Sequence, residues 1–275
     1  MKRHKAFLIS FCLGFLTLGA PYAAAFYSVT AGKSPAKQEE SVEAGEPVQG
    51  MTFLFSAAEK GETPRSFLLL RFRFSERCIS YAVLPGETMV ETSGGFDSLA
   101  LVWRNAGGRA AADALACTAG IPVDRYMTVP RDPLVETLNQ IGTIDMTLTG
   151  KDGVLPAGRQ VLDGSSIVEL AFSRSYAGGE ETRLAAISAL VGEVISQRAA
   201  LLRTADLEKI YLIAVNAGKN DLTAADYELQ REALENLFKE EVLSKETVAA
   251  GSYNESGNTF LLSTQTLQDF SENFS

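Results

Sequence analysis

Histidine is all but absent from this 275-residue chain: the single one is His4, inside a basic cluster at the extreme N-terminus. Ser–His–Asp and Cys–His nucleophile pairs, and zinc sites with histidine ligands, therefore have no candidate in the rest of the sequence. Cysteine is nearly as scarce, with three residues. Cys78 and Cys117 carry no metal-ligand spacing, and both lie in apolar stretches. A buried free thiol and a disulfide are each admissible there, and the sequence leaves that choice open. Positive charge is in deficit too: 25 Lys and Arg stand against 34 Asp and Glu, for a net charge of −9. A domain built to wrap nucleic acid normally shows the opposite balance, so no nucleic-acid partner is expected.

What is present begins with an apolar N-terminus. Residues 2–5 read Lys-Arg-His-Lys, and 22 uncharged residues follow, Ala6 to Tyr27. A membrane-spanning helix needs about 20 such residues. The positive flank predicts a cytoplasmic tail at 1–5, a transmembrane anchor at 6–27, and everything beyond on the outer side. The rival is a cleavable signal peptide with Ala6–Gly19 as its apolar region and Ala23 and Ala25 before the cut. Either way the bulk of the chain is exported, and the expected place is the cell membrane, single-pass, with an extracytoplasmic C-terminal domain. Removing the first 27 residues, with Lys2, Arg3 and Lys5 and no acid, leaves a net charge of −12. Anionic headgroups would repel such a domain except at a local basic pocket. Ser28–Pro47, rich in Ser, Ala, Lys, Glu and Pro, reads as a flexible stalk at 28–47.

From Met51 the pattern becomes that of a folded domain over 48–275. Met51–Ser56, Ser66–Phe74, Cys78–Leu84, Arg125–Val129 and Thr143–Leu148 are strand candidates. Gly108–Thr118 is alanine-rich and helical. Asp132-Pro133 reads as an N-cap with proline at the first helical position, and Leu134, Leu138 and Ile141 then share one face. Ile167–Phe172 looks like the end of a helix. Glu180–Leu202 repeats Leu184, Ile187, Val191, Val194 and Ile195 at three- and four-residue steps. Thr223 three residues before Asp226 suggests a capping box opening a helix at Ala224–Glu240. Thr247–Tyr253 and Thr259–Ser263 are two further strands. Strands alternating with helices predict a three-layer α/β/α sandwich around a mixed central sheet, preceded by one N-terminal membrane helix.

Without histidine, polar chemistry falls to arginines and carboxylates, and three loops concentrate them. One holds Glu59 with Arg65-Ser66, the second is Pro85-Gly86-Glu87-Thr88 after the third strand, and the third runs from Arg174 to Arg183. Loops at strand ends are where α/β sheets place ligands. Gly178–Arg183 also leads into a helix N-terminus, which favours an anion. Arginines there can hold phosphate oxygens bidentately, and Glu59 and Glu87 can hold Mg2+ together with waters and the phosphates. Solvated loop charges would give the same pattern.

The order of these segments resembles the LytR–CpsA–Psr family of membrane-anchored cell-envelope proteins. Phe53–Glu59 (FLFSAAE) looks like its first strand and the loop after it. Arg65-Ser66-Phe67 falls on its Arg-Ser-Asp, and Leu84–Thr88 (LPGET) on its Ile-Pro-Arg-Asp-Thr. Ala119–Val129 (AGIPVDRYMTV) is similar to its Gly-Ile-Pro-Ile-Asp-Tyr-Tyr segment. Leu155–Arg174 (LPAGRQVLDGSSIVELAFSR) follows its Gly-x-Gln-x-Leu-(Asn/Asp)-Gly stretch into the Arg-x-Arg motif. The resemblance covers roughly residues 50–275. It implies binding of a polyprenyl (pyro)phosphate-linked glycopolymer, with the lipid tail held between sheet and helices, and attachment of that polymer to peptidoglycan. Arg65, Arg174 and Arg183 then bind the lipid headgroup, Glu87 and Arg174 are the catalytic candidates, and Glu59 and Glu87 the metal ligands, with Mg2+ the implied cofactor.

The departures bear on activity. Phe67 stands for the metal-binding Asp, Gly86 for the Arg of Pro-Arg-Asp, and Glu87 for the Asp after it. Tyr176 replaces the second Arg of Arg-x-Arg, and Ala186 a later arginine. Phe67 reads as one more core aromatic on base rates; aligned to the family, it blocks or dries a metal site. Losing one electrostatic donor to a transferring phosphoryl group costs about 100- to 1000-fold. The leading expectation is thus a divergent envelope protein with phosphotransfer weak or lost. The alternatives are an active Mg-dependent phosphotransferase with a rearranged site, and a non-catalytic envelope binding or scaffold protein.

Overall fold

The computed structural model describes residues 50–275, save 60, 152, 175 and 203–206. The expected tail, anchor and stalk lie outside the described residues. Among the described residues no helix is long and apolar enough to cross a membrane.

Three strands open the domain: β1 (Gly50–Ala58), β2 (Ser66–Arg73) and β3 (Cys78–Pro85). A hairpin of β4 (Met89–Thr92) and β5 (Gly95–Ser98) leads into helix α1 (Leu99–Ala119). Next come β6 (Arg125–Pro130), α2 (Arg131–Ile141), the antiparallel pair β7 (Ile144–Leu148) and β8 (Gly158–Leu162), α3 (Gly164–Phe172) and the long α4 (Gly179–Leu202). The chain ends with α5 (Leu207–Ala217), β9 (Lys219–Asn220), α6 (Ala224–Phe238), β10 (Leu243–Glu246), the hairpin β11 (Gly251–Tyr253) and β12 (Phe260–Leu262), and α7 (Thr264–Phe274).

The central sheet has six strands in the order β10-β3-β2-β1-β6-β9. It is mixed, as expected: β1, β2 and β3 run antiparallel, while β6 joins β1, and β10 joins β3, in parallel. Helices cover both faces. On one, Leu54, Phe67, Leu69, Ala82 and Leu84 of the sheet join Leu115, Phe270 and Phe274 of α1 and α7 in one buried cluster. On the other, Met51, Phe74 and Ile79 join Ala199, Leu237 and Phe238 of α4 and α6.

The two faces are filled differently, and strand alternation shows it. Along β2, Phe67 and Leu69 are fully buried while Leu68 and Leu70 are only half-buried; along β1, Leu54 is buried and Phe53 and Phe55 are half-buried. Side chains of a strand alternate between faces, so every half-buried residue here belongs to the second face. That face has a cavity in it.

Several expectations shift in detail. The first helix begins at Leu99 rather than Gly108, capped by Ser98, whose Oγ accepts the Leu101 amide at 3.3 Å. Gly107 breaks it with φ of 87°, and Gly108 lies so close to the Tyr126 ring that a Cβ would fall 2.2 Å from it. The second helix is capped two residues earlier than expected: Pro130 is the N-cap, without a side-chain hydrogen bond, and Arg131 the first helical residue. β10, α5, α7 and the β4–β5 hairpin are elements beyond those expected. Cys78 is buried in β3 and Cys117 exposed on α1, and both are free thiols, which closes the disulfide question.

The capping box is present: Thr223 Oγ1 accepts the Asp226 amide at 3.2 Å, and Asp226 Oδ2 accepts the Thr223 amide at 2.7 Å. Thr223→Ala should therefore lower stability by about 1 kcal/mol in a denaturant titration.

Candidate functional site

The register brings four chain segments to one end of the sheet. Ser56 pairs with Phe67, Ser66 with Pro85, and Ala58 with Pro130. Glu59, Arg65, Glu87 and Arg131 consequently all leave the sheet at the end where β1, β3 and β6 finish. Beneath this edge, on the half-buried face, lies a cavity of about 690 Å³. Its walls are apolar: Phe55, Leu68 and Leu70 from the sheet, Leu134 and Leu138 from α2, and Ile187, Leu190, Val191, Val194 and Ile195 from α4. The three- and four-residue repeat that made α4 conspicuous in sequence thus lines a void for much of its length rather than a solid core. The size falls within the range of small-molecule and cofactor sites.

Charge gathers at the mouth. Arg65, Arg131, Arg174 and Arg183 border the cavity, together with Glu59, Glu62 and Glu169. Arg131 Nη1 donates to Glu59 Oε1 at 2.8 Å, and its Nη2 pairs with Glu169. Its guanidinium also sits 5.6 Å from the centroid of the Phe172 ring. A cation at the first position of a helix opposes the helix dipole. The hydrogen bond that Arg131 donates to Glu59 and the charge of Glu169 compensate, and hold the guanidinium pKa above its ordinary value. Arg174 Nη2 donates to Glu62 at 2.8 Å, an exposed pair worth about 0–1 kcal/mol.

Arg183 is different in kind. Its side chain is 2% exposed, and Glu180, one turn back on α4, grips it with both oxygens. Glu180 Oε2 also accepts from Arg65 Nη2 at 3.0 Å. Arg183 further reaches the carbonyl oxygens of Ala171 (3.5 Å) and Arg65 (3.4 Å). One ion group therefore ties α3, the loop before β2 and the head of α4.

Of the residues singled out in sequence, Glu59, Arg65, Arg174 and Arg183 share the cavity mouth. Glu87 does not line the cavity. Its Oε2 is buried without a hydrogen-bond partner. Tyr253 is close to it: burial first, then Glu87 and Glu180, push that phenol up to about 12. Glu59 and Glu87 do not fit as joint ligands of one Mg2+. Strand β2 separates β1 from β3, about 10 Å between their backbones, and Glu59 is turned the other way, toward Arg131 after β6. Among the described residues no group of three His, Cys, Asp or Glu is placed to hold a metal ion.

The two substituted positions near the mouth have structural consequences. Phe67 is 1% exposed; it borders the cavity but belongs to the core cluster on the α1 and α7 face. Gly86 is where the backbone closes up: its amide donates to the Arg65 carbonyl at 2.7 Å, and a Cβ would sit 3.0 Å from the Pro64 oxygen and 3.2 Å from Ala100 Cβ. The nearby arginines of β2 and the following turn do not compensate. Arg71 is buried with Thr52 Oγ1 and the Phe274 carbonyl, Arg73 pairs with Glu76, and Arg77 with Glu240.

Arg131, Glu62 and Glu169 escaped the sequence reading. Arg131 directly follows a predicted strand, a position where α/β sheets place ligands, and it opens α2. Glu169 on its short helix carried no such mark.

No family model and no curated protein matches the sequence. Solved structures do. A transcriptional regulator from Enterococcus faecalis is 18% identical, with TM-score 0.64 over 80% of this chain and 84% of that one. TagT bound to LI-WTA is 16% identical, with TM-score 0.66 over 85% and 92%. The LytR-CPS2A-psr family protein YwtF (TagT) with bound octaprenyl pyrophosphate lipid is 15% identical, with TM-score 0.61 over 83% and 90%. The fold is that of the LytR–CpsA–Psr proteins.

Two outcomes follow from the site's construction. Arg183→Ala should cost about 3 kcal/mol of stability, because it removes a buried ion and leaves Glu180 with Arg65 alone, whereas Arg174→Ala should cost less than about 1 kcal/mol; chemical denaturation of both variants compares them. Gly86→Arg, which restores the family residue, should destabilise by about 1–3 kcal/mol through overpacking. A Gly86→Arg variant as stable as the parent would show that the Pro64–Arg65 backbone gives way.

Proposed function

We propose that the domain binds a polyprenyl phosphate- or pyrophosphate-linked glycopolymer of the cell envelope, with the lipid tail in the cavity and the headgroup at the arginine mouth. The observation that carries this reading is the apolar void between the sheet and α4, opening under Arg65, Arg131, Arg174 and Arg183. A protein of the same fold holds octaprenyl pyrophosphate, and another structure of it is bound to LI-WTA. Burying apolar chain yields about 25 cal/mol per Å2, which a cavity of this kind supplies without specific polar contacts. The N-terminal segment acts as anchor, keeping the domain on the outer face of the membrane where such carriers and peptidoglycan meet.

Phosphotransfer onto peptidoglycan is weak or lost in this proposal. Phosphoryl transfer rests on positioning and charge neutralisation. Here Gly86 leaves no side chain at one arginine position, Phe67 puts an apolar ring at a carboxylate position, and Glu87 stands off the cavity. Arg65, Arg174 and Arg183 are then binding residues, and the domain delivers or retains the carrier rather than turning it over.

Val191→Trp tests the tail site, since the bulkier ring fills the void from α4. Binding of a twenty-carbon prenyl phosphate should fall by at least about tenfold, the worth of about 1.4 kcal/mol of lost apolar burial, with the melting temperature little changed. Unaltered binding in a variant that folds would refute a tail in this cavity.

A further inference from the structure

Among the described residues, every arginine at the cavity mouth already holds a carboxylate. Arg131 has Glu59 and Glu169, Arg174 has Glu62, and Arg65 and Arg183 share Glu180. Four guanidinium groups face four carboxylates, so the described mouth is electrically balanced rather than cationic.

Glu180 is the decisive member. Its Oε2 accepts from Arg65 Nη2 at 3.0 Å and from Arg183 Nε at 2.9 Å, while Oε1 pairs with Arg183 Nη2. This is the two-pronged grip that a phosphate takes on a guanidinium. The Glu180 side chain does not itself line the cavity but is 25% exposed, so solvent reaches it, whereas Arg183 at 2% cannot be left without a counter-ion.

We propose that Glu180 is a resident anion occupying the phosphate position on Arg65 and Arg183, so that the protein selects prenyl carriers by their tail and takes a headgroup of low charge, a prenyl monophosphate in preference to a pyrophosphate. The inference rests on the lipid-binding reading above. A phosphate that displaces Glu180 exchanges one ion pair for another and meets Glu59, Glu62 and Glu169 besides. That exchange yields little. The apolar walls carry no such offset, and their contribution survives whatever the headgroup is.

The test compares geranylgeraniol, geranylgeranyl phosphate and inorganic pyrophosphate on the full chain, by competition against a fluorescent prenyl probe. In the parent protein the alcohol and the phosphate should bind within about tenfold of each other, and pyrophosphate should not bind at millimolar concentration. In Glu180→Gln the phosphate should gain about 10- to 100-fold over the alcohol, the worth of one or two hydrogen bonds to a charged group, with alcohol binding unmoved. Glu62→Gln frees the exposed Arg174 without disturbing a buried ion and should shift the ratio the same way by a smaller factor. A parent preference for the phosphate above about 100-fold, micromolar pyrophosphate binding, or an unchanged ratio in both variants overturns the proposal while leaving the tail site intact. Failure of both prenyl ligands to bind overturns the lipid reading itself, and this proposal with it.

Discussion

Arg183 is a full-length cation placed where almost no water reaches it, and the mouth of the domain is organised around keeping it paired. An unpaired guanidinium in that position would be driven back toward solvent, pulling α4 with it. Glu180 prevents this from one helical turn away, and shares its charge with Arg65. The carbonyls of Ala171 and Arg65 take two more of its donors. The head of α4, the end of α3 and the entry to β2 are thereby fixed relative to one another, and that fixes the rim of the cavity. Arg131 repeats the device on the other side, bridging Glu59 after β1 to Glu169 on α3. The rim is a ring of ion pairs around an apolar hole.

That construction explains how an acidic chain can present four arginines at one site without a net positive patch. It also separates two properties that composition alone joins. Arginine content at a strand-end loop suggests phosphate affinity, but affinity depends on which donors are uncommitted. Here the donors are spoken for by carboxylates, one helical turn away for Arg183 and distant in sequence for Arg65, Arg131 and Arg174. The apolar walls have no competing partner of that kind. On the proposed function, binding specificity shifts from the headgroup to the tail.

Much of the fold was legible because its signals are local. The strands β1, β2, β3 and β6, the stripe of α4 and the Thr223 capping box each depend on spacing within about ten residues, and all lie close to where spacing places them. The cavity was not legible. Leu68 and Leu69 read identically in sequence, and only the packed sheet shows that one meets a helix and the other borders a void. Arg65, Arg174 and Arg183 were found through loop position and family resemblance, and they do converge. Glu87 was found the same way and does not line the cavity; its Oε2 is buried just beyond the end of β3. Ion-pair partners separated by more than a hundred residues, such as Arg65 and Glu180 or Arg174 and Glu62, leave no trace in spacing at all. Nor does the closing of Gly86 against Pro64, which turns an absent arginine into a packing contact.

The most direct test of this account is a crystal structure of the protein with a twenty-carbon prenyl phosphate bound. The account predicts the tail between the sheet and α4, against Leu68, Leu70 and Val191, with Glu180 still on Arg183. A tail bound elsewhere on the molecule, or a cavity closed by collapse of α4 onto β2, would contradict it.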